Sequence, residues 1–97
     1  MHHIAVIDQR GRTLDQFHAV LDALGSGPIA GQLLHAVGAT PTGLRHVEVW
    51  ASRGHADRFA ARRLGPALEA VYGLDAFHDV AVAAFDAEYL SVNGRCP

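Results

Sequence analysis

The sequence predicts an α+β domain, an antiparallel sheet with both helices on one face. Three features point to it. Strand-like and helix-like segments follow one another as β-α-β-β-α-β, the ferredoxin-like plan. The two central strands are joined only by the breaker-rich run Gly38 to Gly43 (GATPTG), so they should pair as a hairpin. From Gly43 to Leu68, a strand with two chemically different faces runs directly into an amphipathic helix.

Each element has its own signal. His3 to Asp8 (HIAVID) is rich in β-branched residues and reads as the first strand, with Gln9 to Arg12 as a turn. Thr13 and Gln16 form a capping box ahead of a helix whose stripe is Leu14, Phe17, Leu21 and Leu24. Gly25-Ser26-Gly27-Pro28 ends that helix, because glycine accepts the left-handed cap and proline cannot continue it. Gln32 to Val37 is a short second strand, and Leu44 to Ala51 is the third.

Ser52 can cap the second helix, which carries Ala56, Phe59, Ala60 and Leu64 at helical spacing. Gly65-Pro66 interrupts it, since Pro66 cannot donate to the Arg62 carbonyl; a kink or a fresh start with Pro66 in the first turn is expected. Ala67, Leu68 and Val71 extend the stripe to Gly73. Phe77 to Phe85 is the last strand, and a tail follows from about Leu90.

Composition bounds the function. One domain spans residues 1–97, with 49% hydrophobic and 19% charged residues and a formal charge of −2, which gives no electrostatic footprint for nucleic acid. All eight basic residues are Arg, a pattern that reads as the codon bias of a GC-rich bacterium. The single Cys96 excludes an internal disulfide. No membrane span or signal peptide is visible, Met1-His2-His3 is too short for an affinity tag, and the cytoplasm is the expected compartment.

Leu44 to Leu68, with Val-Glu-Val-Trp-Ala-Ser on the strand, Phe59 in the helix and Arg63-Leu64-Gly65-Pro66-Ala67-Leu68 after it, resembles small dimeric α/β-barrel proteins of the antibiotic-biosynthesis monooxygenase-like superfamily. His35 in Leu34-His35-Ala36 and the Gly38 to Gly43 turn are similar as well. The resemblance implies a ferredoxin-like sandwich that dimerises into a barrel. It also implies activities such as cofactor-free oxygenation, quinol oxidation, haem degradation or polyketide cyclisation. Of the Trp, Tyr and Asn set used by oxygenases of that group, only Trp50 has a counterpart.

The chemistry-bearing residues are few. His46 and Glu48 share a strand face with Trp50, and His35 on the adjoining strand can lie beside them. An imidazole next to a carboxylate is a poised acid/base pair, so His35, His46 and Glu48 are the candidate catalytic residues. The competing reading is a structural His–Glu hydrogen bond in a dimer interface. The same three residues form a two-His, one-carboxylate set that could hold iron or another metal, although no metal and no cofactor are expected. Trp50, Phe59 and Arg63 are the candidate substrate contacts, with Trp50 equally suited to packing in a core or interface. His55, Arg58 and Arg62 read as a solvated helix face, His18 as surface and His78 as a residue at the pocket mouth. His2 and His3 are terminal and support no inference. Phosphate loops, nucleophile elbows and CxxC pairs are absent.

Two placements of this set compete. A pocket between sheet and helices, lined by His35, His46, Glu48 and Trp50, needs those residues under the helices. Strand alternation instead nominates Val47 and Val49 to pack beneath the helices. It then leaves His46, Glu48 and Trp50 on an uncovered face, which a second copy would close into a symmetric barrel. On that second placement, finding His46 and Glu48 under the helices removes the site. The expected function is a small enzyme acting on an aromatic or polyketide-like substrate by His-based proton abstraction, as a cofactor-free monooxygenase or a cyclase/isomerase. The alternative is a non-catalytic dimeric ligand-binding or scaffold protein. The expected partners are that small molecule and a second copy of the chain, with no nucleic acid and no membrane.

Overall fold

The computed structural model describes residues 1–95 and follows the predicted order of elements. These are β1 (His2–Arg10), α1 (Leu14–Leu24), β2 (Gln32–Thr40), β3 (Gly43–Trp50), α2 (Arg53–Phe59), α3 (Gly65–Tyr72) and β4 (Val80–Ala87). The strands form one sheet in the spatial order β2-β3-β1-β4, with every neighbouring pair antiparallel. This α+β arrangement is compatible with the ferredoxin-like plan. No helix among the described residues is long and apolar enough to cross a membrane.

Local chemistry explains most element boundaries. The Thr13 hydroxyl accepts from the Gln16 N–H while the Gln16 side chain accepts from the Thr13 N–H, completing the capping box that starts α1. Gly25, at φ 79°, closes its far end. The β2–β3 hairpin turns on Pro41 and Thr42 alone, so β2 runs further than Val37 and absorbs most of the predicted turn. Gly43 is fixed by close approach: a Cβ there would sit 2.1 Å from the Gln9 carbonyl oxygen. Pairing also extends β1 through Arg10, and β4 starts at Val80 instead of Phe77. In the tail, Val92 bridges Arg95 around Asn93 and Gly94, both at positive φ. Cys96 lies outside the described residues.

The Gly65-Pro66 interruption takes a specific form. Between α2 and α3 the chain makes a π turn, Ala60–Leu64, in which the Gly65 N–H reaches back five residues to the Ala60 carbonyl. The backbone stays right-handed helical through Leu64 and Gly65, and Pro66 falls in the first turn of α3. Widening the turn accommodates the ring and missing N–H of Pro66 without unwinding the helix. Gly65 suits the position because a Cβ would lie 3.0 Å from the Ala60 oxygen.

The face assignment from alternation is overturned. Trp50, Glu48 and His46 lie across from His3, Ala5 and Ile7 of β1, and this row faces the helices. Trp50 is 1% exposed, with its ring 5.4 Å from that of Phe59 in α2, so it is not on an uncovered face. Val47 and Val49 pair with Val6 and Ile4 on the opposite side of the sheet, and not beneath the helices. The reason is that the helices pack mainly on each other. Their buried cluster is Val20, Ala67, Leu68 and Ala76, flanked by Leu24, Leu64, Val71 and Tyr72, and it contains no sheet residue. Val20 is the buried residue of α1, whereas Leu14 and Leu21 of the predicted stripe are partly exposed. The helices therefore roof a cleft above the sheet, where polar side chains are tolerated once they bond one another.

Candidate functional site

The cleft between sheet and helices has a volume of about 580 Å³. Phe17, Val20 and Leu21 of α1 and Phe59, Leu64 and Leu68 of the second helical segment form its apolar walls. Its floor carries the polar residues. The pocket expected between sheet and helices is therefore present, while the alternative site on the uncovered face is not.

Regular hairpin pairing brings His35 to this floor, because the register runs unbroken from Thr40 opposite Gly43 to His35 opposite Glu48. Gln32 and His35 are three residues apart, so plain alternation would place them on opposite faces. The register shifts only between Gln32 and Leu34, which sets Gln32 opposite Trp50 and turns it to the same floor. His35 thus joins His46, Glu48 and Trp50.

The four residues interlock. His35 Nε2 lies 3.0 Å from His46 Nδ1, and the other nitrogen of His46 meets the side-chain oxygen of Gln9. The Trp50 indole N–H donates to Glu48 Oε1 over 3.0 Å, and the second Glu48 oxygen is 3.7 Å from His35 Nε2. Phe17 meets both imidazoles edge-on, at 5.9 Å and 5.5 Å between centroids. Gln9, His46 and Glu48 are buried, while the His35 side chain keeps 23% of its surface exposed.

This geometry sets the proton positions. The Gln9 oxygen can only accept, so His46 Nε2 carries a proton and donates. Burial, and next the neighbouring His35, lower the His46 pKa from 6.5 to about 4. His46 is then a neutral ring whose Nδ1 accepts from His35 Nε2–H. Both of its nitrogens are occupied, so it cannot take a proton from a ligand. His35 Nδ1 has no hydrogen-bond partner among the described residues and is the free basic nitrogen of the cluster. An alternative use of the same atoms is metal binding: one ligand atom each from His35, His46 and Glu48 lie within 4.8 Å of one another. Gln9 and Trp50 would then hold the outer atoms of His46 and Glu48.

The remaining candidates divide. Phe59 forms part of the wall, as anticipated. Arg63 does not reach the cleft: it donates to the Pro28 and Leu24 carbonyls, tying the π turn to the end of α1. His78 is exposed and lies beside Asp79, not at the pocket mouth. His3, dismissed as terminal, proves to be buried on the cleft floor, its Nδ1 3.0 Å from Asp86 Oδ1. The available signal was pairing of the first and last strands, which brings two ends of the chain together.

The depressed His46 pKa has a consequence for stability. The unfolded chain takes up a proton at about 6.5 and the native ring only at about 4. Its contribution is fully present above the higher value and is lost as pH falls toward the lower. Over that window His46 should account for about 3 kcal/mol of acid destabilisation. Chemical denaturation at a series of pH values, at one protein concentration, should show that loss reduced by a comparable amount in His46→Gln. An unchanged pH dependence would contradict a neutral, buried His46.

No family model matches the chain, and the comparisons with curated proteins and with solved structures also give no match.

Proposed function

We propose that the protein is a small enzyme that binds an aromatic or polyketide-like molecule in the cleft and removes a proton from it through imidazole. The observation that supports this is an interlocked imidazole–carboxylate cluster at the floor of an open cleft with largely apolar walls. A scaffold protein would have no need to keep such a space unfilled. His35 is the base, through Nδ1. Glu48 offsets the charge that His35 acquires, His46 and Gln9 hold its ring, and Phe17 and Phe59 sandwich the substrate.

The resulting carbanion either attacks a carbonyl of the same molecule, as in a cyclase, or gives an electron to O₂, as in a cofactor-free oxygenase. The resemblance of Leu44 to Leu68 to the antibiotic-biosynthesis monooxygenase-like superfamily supports the same substrate class. Homodimerisation into a barrel and residence in the cytoplasm belong to this proposal.

A nitrobenzisoxazole tests the chemistry. Loss of its ring C–H proton to a base forms the nitrile and breaks the N–O bond, releasing a coloured phenolate. The protein should accelerate this reaction above free imidazole at equal concentration. His35→Asn should lower kcat on the order of 10²–10⁴-fold, and Glu48→Gln should lower kcat more than it weakens binding. Full turnover in both variants would exclude this cluster as the base. The two-His, one-carboxylate geometry favours one second reading, a metal centre. Metal analysis of untreated protein decides it, since near-stoichiometric metal would displace the proton-transfer reading.

A further inference from the structure

We infer that His3 and Asp86 form a second proton-transfer pair in the same cleft, acting opposite His35 on one bound molecule; this rests on the reading above. His3 and Asp86 are direct partners across the β1–β4 pairing, on the helix-facing side. His3 is 9% exposed, and the 3.0 Å contact from its Nδ1 to Asp86 Oδ1 fixes which nitrogen faces the carboxylate. A carboxylate accepts, so Nδ1 carries the proton and Nε2 is the exchangeable position. His3 Nε2 has no partner among the described residues. The Asp86 side chain keeps 55% of its surface exposed, which connects the pair to bulk water for proton exchange.

Position gives the pair its role. His35 on β2 and His3 on β1 are separated by β3 and offset by two residues along it, so their backbones are about 12 Å apart at normal strand geometry. A fused aromatic or a folded polyketide chain fits between two imidazoles at that distance. Proton removal from carbon at one end drives electrons toward an oxygen at the other, and the developing oxyanion needs a proton. His35 takes the C–H proton, the electron pair moves through the substrate, and His3 Nε2–H protonates the oxygen. Both rings then re-equilibrate with solvent, and no oxidant or further reactant is consumed. This division of labour suits cyclisation or isomerisation, where proton loss and proton gain occur in one turnover. Asp86 is the positioning residue, holding the His3 ring and its tautomer through the Nδ1 contact.

Deuterium exchange at the activated C–H of a fused aryl ketone, 2-tetralone, followed by NMR in D2O, reads both ends, because the base removes the carbon proton while charge builds on the ketone oxygen that His3 would protonate. In the full-length protein His3→Gln and Asp86→Asn should each lower kcat about 10-fold or more with little change in KM. Asp86→Asn alters an exposed carboxylate, so it reports on the pair even where His3→Gln folds poorly. Parent-like kcat in these variants, with loss of turnover in His35→Asn, would overturn the second pair and leave the reading above intact. A parent protein no faster than free imidazole would overturn both.

Discussion

Replacing Trp50 by alanine should cost about 3–5 kcal/mol, a large part of the ~5–15 kcal/mol that stabilises a domain of this kind. Two losses combine. The indole is 1% exposed and packs on Phe59, so its removal leaves a cavity where β3 meets α2. Its N–H also satisfies Glu48, which is only 8% exposed and would lose its one close donor. Trp50→Phe separates these effects, because it keeps most of the buried ring and removes only the hydrogen bond. That variant should lose about 1–3 kcal/mol. Urea denaturation of the two variants checks the difference. A loss of less than ~1 kcal/mol in Trp50→Ala would show that the side chain is not beneath the helices as described.

How much of this was legible in the sequence depends on which physical signal each element left. The capping box of Thr13 and Gln16, the glycine closing α1 and the proline at the start of α3 are local, and local chemistry decided them. The β2–β3 pairing was equally readable, because so short a link as Pro41-Thr42 obliges the two strands to lie side by side. Alternation correctly grouped His46, Glu48 and Trp50, but it could not say which group the helices would cover. The usual rule of burying the aliphatic face failed because α1 and α3 supply their own core, leaving a cleft over the sheet. His35 was read onto the right face because hairpin register alone sets it opposite Glu48, whereas the bulge near Leu33 that turns Gln32 to the cleft left no mark in the pattern. His3 was missed because its partner, Asp86, is contributed by the other end of the chain. Arg63 was misjudged for a related reason: its carbonyl partners, Leu24 at the end of α1 and Pro28 just beyond it, are brought near only by the tertiary fold.

A second copy of the chain should cover the outer face of the sheet. That face presents Ile4, Val6, Leu34, Ala36, Val47 and Val49 by register, with Phe85 paired to Ile4 on the edge strand. Leu34 and Phe85 are 45% and 57% exposed, although the surface around them is apolar. The Asp8–Arg45 ion pair, with N···O at 2.7 Å, marks one polar end. An apolar centre with a charged margin is the anatomy of an interface. Four strands of about eight residues span roughly 19 by 27 Å, or about 500 Å² a side. Pairing two such faces buries about 1,000 Å², where specific association begins. A second copy is the proposed occupant, since closed two-fold pairing would cover both patches at once. Light scattering at micromolar concentration should therefore return about twice the 10.3 kDa chain mass. Val47→Glu places a charge at the centre of the patch, far from the cleft floor, and should yield monomers that retain the fold. A parent protein that is monomeric at that concentration would rule the pairing out. A Val47→Glu variant that remains a dimer would place the interface elsewhere.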